Sequence, residues 1–194
     1  MTHARILSIL SLITLLLISS NALALDGYKD RRGIMGGVSV GGGVGLVESE
    51  EGLTGIDQGR KMGFHMSGML GSGISKKLTV FGEANWWARS VELGENQLAS
   101  NHYSFNAVGN LFIIKGIFVE AGGGFAYASY DAQQGTNASV QNYREMGLAL
   151  KGGAGFENFI NSNTAVGLRV DYTRHFYNNA DFDTVTGGLT LRWY

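Results

Sequence analysis

The sequence predicts an all-β chain closed into an antiparallel eight-stranded transmembrane β-barrel. Three observations carry the prediction. Hydrophobicity alternates with period two from Gly33 to the C-terminus, the alternation divides into eight segments, and the connections between segments are alternately long and short.

Composition points the same way. The 194 residues include 30 Gly, no Pro and no Cys, and only 16% are charged. Charge so far below the roughly 25% of soluble domains, with Gly near twice its usual share, fits an apolar sheet protein of the envelope. The lack of Cys excludes disulfide scaffolds, thiolate metal sites and a lipidated-Cys anchor. A net charge of -1 excludes a basic nucleic-acid footprint, so no nucleic-acid partner is expected.

Residues 1-24 read as a secretory signal, with Arg5 at the start, an apolar run from Ile6 to Ile18 and a cleavage site at Ala22-Leu23-Ala24. Residues 25-194 then form the barrel domain.

The segments follow in order. Gly33 to Val47 puts Val38, Val40, Val44 and Leu46 on one face, with Ser39 and glycines on the other. Lys61 to Gly71 sets Met62, Phe64, Met66 and Leu70 against His65 and Ser67. Leu78 to Ser90 sets Val80, Ala84 and Trp86 against Glu83, Asn85 and Arg89. Tyr103 to Ile113 opposes Phe105 and Leu111 to Asn106 and Asn110, and Ile117 to Ser129 opposes Val119, Phe125 and Tyr127 to Glu120. Glu145 to Phe156 places Met146, Leu148 and Leu150 opposite Lys151. Thr164 to Phe176 places Val166, Leu168, Val170 and Tyr172 opposite Arg169 and Asp171. Thr184 to Tyr194 ends the chain with Val185, Leu189, Leu191 and Trp193 opposite Thr186, Thr190 and Arg192.

No apolar-face position is charged, and the polar face is too sparse and Gly-rich for a solvated exterior. The apolar face therefore meets lipid and the polar face lines a narrow lumen. Long polar loops are expected around 48-60, 91-102, 130-144 and 177-183, with short turns at 72-77, 114-116 and 157-163. A sheet in hydrocarbon must close, because each unpaired edge group would cost several kcal/mol. Outward Phe64, Trp86, Tyr103, Tyr127 and Tyr172 near the loop ends, with Phe156 and Trp193 near the turn ends, suit two interfacial girdles.

With its leader, its opening Gly33-Ile34-Met35-Gly36-Gly37 run and its terminal Gly187-Gly188-Leu189-Thr190-Leu191-Arg192-Trp193-Tyr194, the chain resembles the small outer-membrane β-barrel family of the OmpA membrane domain and OmpX. The resemblance implies residence among outer-membrane lipids and lipopolysaccharide. It also implies insertion by the barrel-assembly machinery, with Leu189, Leu191, Trp193 and Tyr194 as the assembly signal. Tyr194 stands one residue past the outward register of the other three.

Four groups are candidates for chemistry. Glu83, Arg89, Glu120, Lys151, Arg169 and Asp171 all have inward parity and form a lumen charge network. Buried charges must pair, and Lys151 is placed to meet Glu120 and Asp171. Such a network either plugs the barrel or, as OmpA-like lumens suggest, gates a narrow path for ions or small apolar solutes. Arg60, Arg144 and Arg174 share the outward parity at the loop-side rim, where guanidinium groups can bind lipopolysaccharide phosphates.

His102 and Ser104, two apart on one face, resemble the His-x-Ser pair of lipid A deacylases. That family wants an Asn directly after the Ser, and Phe105 stands there. Glu48, Glu50, Glu51 and Asp57 lack EF-hand spacing, and His65 and His175 stand without further ligands, so neither metal nor cofactor is expected. The expectation is a non-enzymatic barrel whose loops make surface contacts, with its oligomeric state open.

Overall fold

A computed structural model describes residues 30-48, 61-93, 96-134, 141-178 and 181-194. Eight antiparallel strands form one closed barrel: β1 (Gly33–Glu48), β2 (Lys61–Gly73), β3 (Leu78–Leu93), β4 (Asn96–Ile114), β5 (Ile117–Gln134), β6 (Gln141–Phe159), β7 (Thr164–Tyr177) and β8 (Asp181–Trp193). Each strand pairs with its sequence neighbour, and β8 pairs with β1 to close the cylinder. No sheet edge is left, as hydrocarbon demands. Among the described residues no helix is long and apolar enough to cross a membrane.

The alternation sorts the two faces as expected. Val38, Phe105, Phe125, Leu148, Leu168, Val170 and Leu189 are exposed, while Ser39, His65, Glu83, Asn106, Glu120, Lys151, Arg169 and Asp171 are buried. A fold with its greasy side out and its charges enclosed has hydrocarbon as its solvent.

The turn-end connections are tight, and side chains of the local sequence fix them. Ser75 Oγ accepts from the backbone N–H groups of Lys77 and Leu78 at 3.2 and 3.1 Å. Asn161 Oδ1 does the same for Asn163 and Thr164 at 2.9 and 2.7 Å. The β4–β5 turn is Lys115-Gly116 alone, with φ of 32° and 152°. A Cβ at Gly116 would lie 2.2 Å from the Glu157 carbonyl oxygen, so only glycine fits.

The loop-end hairpins depart from expectation. The β3–β4 ladder continues to Leu93↔Asn96 and the β5–β6 ladder to Ala132↔Gln141, so most of the loops expected at 91-102 and 130-144 are strand. The connection expected at 177-183 is reduced to 178-180. Polar composition marks where the apolar band stops, but backbone pairing holds a ladder beyond that point whatever the side chains are. The long connection at 49-60 lies outside the described residues, together with the leader.

The interior is layered. Trp87, Ala126, Ala128, Ala149, Tyr177 and Phe182 cluster toward the loop end, and Met35, Met69, Phe81 and Val108 toward the turn end. The charged side chains fill the space between and below.

Candidate functional site

Four strands, β3, β5, β6 and β7, bring the lumen charges together across the barrel. Lys151 on β6 contacts Glu83, lies 3.1 Å from Glu120 Oε1 and 3.4 Å from Asp171 Oδ2. Arg169 on β7 reaches the same acids, with Nη2 at 2.6 Å from Glu83 and Nε at 2.7 Å from Asp171. Its Nη2 also donates to Ser67 Oγ at 3.1 Å, and Nη1 points at Met69 Sδ at 3.6 Å. Glu83 and Arg169 are each 2% exposed, so neither is paired through bulk water.

The network runs further than the sequence suggested. Arg192 on β8 bridges Glu120 at 3.7 Å to Glu157 at 3.2 Å. Its guanidinium lies 4.6 Å from the Phe118 ring centre. Asn110 bridges Arg192 and Glu120: with its amide oriented to suit the network, its nitrogen donates to Glu120 Oε2 at 3.0 Å and its oxygen accepts from Arg192 at 2.9 and 3.1 Å.

Glu157 then takes Arg31 Nε at 2.7 Å and the Tyr194 hydroxyl at 2.9 Å. Arg31 stacks 3.8 Å over Phe112 at the turn-end mouth. Four acids (Glu83, Glu120, Glu157, Asp171) face four bases (Arg31, Lys151, Arg169, Arg192) in one continuous column. Counted with every group ionised its formal charge is zero, the balance that suits a low-dielectric interior.

Arg89 does not join the column. It stands in register with Ser100, six residues along β3 from Glu83, which is about 20 Å at strand rise. That level is the loop-side mouth, where rings pack around His102. The imidazole stacks on Phe182 with ring centres 3.6 Å apart and meets Trp87, Tyr130, His175 and Tyr177 at 5.7, 5.3, 5.9 and 5.9 Å.

His102 Nδ1 bonds the Tyr177 hydroxyl and Nε2 bonds Ser100, both at 3.1 Å. His175 Nδ1–H donates to the Phe182 carbonyl at 3.0 Å. The space between this layer and the ionic column is about 10 Å³, room for about one water molecule.

This packing bears on the other candidates. Ser104 Oγ accepts from Asn106 Nδ2 at 2.9 Å, and both His102 nitrogens are engaged elsewhere, so no His–Ser nucleophile pair is assembled. His175, read as isolated, is a neighbour of His102 across the lumen. Among the described residues no group of three His, Cys, Asp or Glu is placed to hold a metal ion.

The two described rim arginines, Arg144 and Arg174, do not converge. Arg60 lies outside the described residues. Arg174 is held by Asp181 at 2.7 Å and Asp183 at 3.6 Å, which occupy the charge offered to a phosphate. Arg144 is exposed, six residues loopward of the Leu150 that pairs with Arg174, about 20 Å away. At the C-terminus Leu189, Leu191 and Trp193 face outward, while Tyr194 turns inward onto Glu157.

Sequence reasoning missed Glu157 because it stopped β6 at Phe156 and assigned 157 to a turn. Continuing the inward parity of Lys151, Gly153 and Gly155 by one step would have found it. Arg31, before the first strand, carries no periodic signal.

The sequence matches the family described as Outer membrane protein beta-barrel domain over residues 10–192. No curated protein matches it. Among solved structures it is similar to Ail of Yersinia pestis in complex with the heparin analogue sucrose octasulfate, at 15% identity and a TM-score of 0.61, covering 82% of this chain and 99% of that one. It is similar to Neisserial surface protein A at 11% identity and a TM-score of 0.54, covering 82% and 96%. It is also similar to OprG of Pseudomonas aeruginosa at 13% identity and a TM-score of 0.50, covering 84% and 97%. At these identities the likeness is one of fold.

Proposed function

Because the chain belongs to the outer membrane protein β-barrel domain family, we propose that it is a non-enzymatic outer-membrane barrel that acts through surface contacts while its lumen stays sealed. In this reading it is exported through a cleaved leader and seated by the barrel-assembly machinery. Its loop-end rim, including exposed Arg144, faces lipopolysaccharide.

One observation carries the reading. From Arg31 at one mouth to His102 at the other, the lumen holds a charge-balanced ionic column capped by a ring of aromatic side chains. Moving an ion through would separate several buried pairs at once, each at a cost of several kcal/mol. An eight-stranded barrel leaves an interior that side chains can fill, and here they do.

The test is planar-bilayer recording on refolded protein. The expected trace is flat, with no unitary steps. Reproducible steps, altered in ion selectivity by Lys151→Met, would instead support a narrow channel.

A further inference from the structure

The outer wall carries a notch. One register row across β7, β8, β1, β2, β3 and β4 reads Val166, Leu191, Val38, Gly68, Ala84 and Phe105. All six face outward, and the two smallest stand side by side between Val38 and Phe105. An apolar depression of about 660 Å³ opens over this row. A Cβ built at Gly68 would meet nothing within 4 Å, so packing inside the chain does not require a glycine there.

Two residues loopward, about 7 Å along the strands, Met66, Trp86 and Tyr103 form the next row. Trp86 and Tyr103 stack with centroids 6.5 Å apart, and the Trp86 indole N–H donates to Asn101 Oδ1 at 3.1 Å. The notch is thus roofed by rings of the kind that sit at headgroup level.

We propose that this depression is a binding site for one acyl chain of an outer-leaflet lipid, lying beneath the Trp86–Tyr103 shelf. The site is continuous with the bilayer-facing wall that the family membership establishes, so hydrocarbon is what covers it. A neighbouring barrel presents a convex wall that cannot enter a notch between two rows of side chains, whereas a single flexible chain can. Apolar surface gains nothing by leaving hydrocarbon, so retention comes from dispersion contact. A chain in the notch is touched from its floor and both sides, and a chain on a convex wall from one side only. The inference needs only residence in a bilayer and is independent of the surface-contact reading.

The experiment compares wild type, Gly68→Leu and Gly152→Leu, each refolded into dimyristoylphosphatidylcholine vesicles, extracted in mild detergent and weighed by native mass spectrometry. Gly152 is the control: it too has open space at its Cβ but does not line the depression. Wild type and Gly152→Leu should carry one lipid. Gly68→Leu, its notch filled by its own side chain, should carry about fivefold less, equivalent to roughly 1 kcal/mol. Ala84→Leu, on the same floor, should behave as Gly68→Leu, and heat-modified migration on gels confirms folding of each. Equal retention by all four proteins, loss in Gly152→Leu as well, or a wild type that emerges as a lipid-free dimer would overturn the proposal.

Discussion

Replacing Lys151 with methionine removes one charge from the ionic column while keeping most of the side-chain volume. Lys151 touches Glu83 and stands 3.1 Å from Glu120 and 3.4 Å from Asp171. Without it four acids face three bases. Arg169 still holds Glu83 and Asp171 at 2.6 and 2.7 Å, but it is 3.8 Å from Glu120, and Arg192 is 3.7 Å from the same residue. Glu120 is therefore left as a buried, poorly compensated carboxylate, and breaking such a pair from one side costs about 3–5 kcal/mol.

Against a stability of about 5–15 kcal/mol for a typical domain, that is a large fraction. With a urea slope of about 2 kcal/mol per molar, the midpoint should fall by roughly 1.5 M or more. Urea titration in vesicles, read by the shift between folded and unfolded bands on unheated gels, gives the number. Lys151→Met/Glu120→Gln restores charge balance and should recover most of the loss. A single variant within about 1 kcal/mol of wild type, or a double variant no better than the single, would refute the claim that the column is held by pairing.

Two further outcomes follow from the same geometry. Glu157→Gln weakens the contacts to Arg31 and Arg192 together and should cost about 3 kcal/mol, whereas Tyr194→Phe, which removes one hydroxyl, should cost about 1 kcal/mol; urea midpoints rank the two. Leu168→Arg on the lipid-facing wall should destabilise by about 2–4 kcal/mol, measured by refolding yield and midpoint in vesicles, because Leu168 lies within the apolar band.

The fold was legible because a lipid-embedded barrel writes its two faces into the period of the chain. Every described position assigned outward, from Val38 to Trp193, is exposed or half-exposed, since a one-residue slip would turn the whole set into the lumen. The column charges inside the expected strands, Glu83, Glu120, Lys151, Arg169, Asp171 and Arg192, were legible singly for the same reason. What parity cannot supply is height. Arg89 and Glu83 share a face of β3, yet one lies at the mouth and the other in the column. Height separates the two described rim arginines in the same way: Arg144 and Arg174 share outward parity at different levels, and Arg174 is paired with Asp181 and Asp183 from β8. Strand ends beyond the membrane were illegible because polar residues there pair through their backbones.

Closure of the barrel explains why Glu157 gathers so many partners. The seam between β1 and β8 runs Gly41↔Gly188 and Gly42↔Gly187. A Cβ at Gly41 would lie 2.0 Å from the Gly187 carbonyl oxygen, and one at Gly43 would lie 2.5 Å from that of Val185. On the lumen face the strands approach so closely that side chains are excluded from the centre of the seam, which leaves backbone hydrogen bonds to hold it there.

Side-chain contacts that secure the two chain ends must therefore come from elsewhere, and they come from a third strand. Glu157 on β6 binds Arg31, just before β1 begins, and Arg192 and Tyr194 at the end of β8. Both ends flanking the seam are thereby tied to one carboxylate inside the mouth. The inward turn of Tyr194 is part of that tie, so the terminal aromatic points away from lipid once the barrel is closed, unlike Leu189, Leu191 and Trp193.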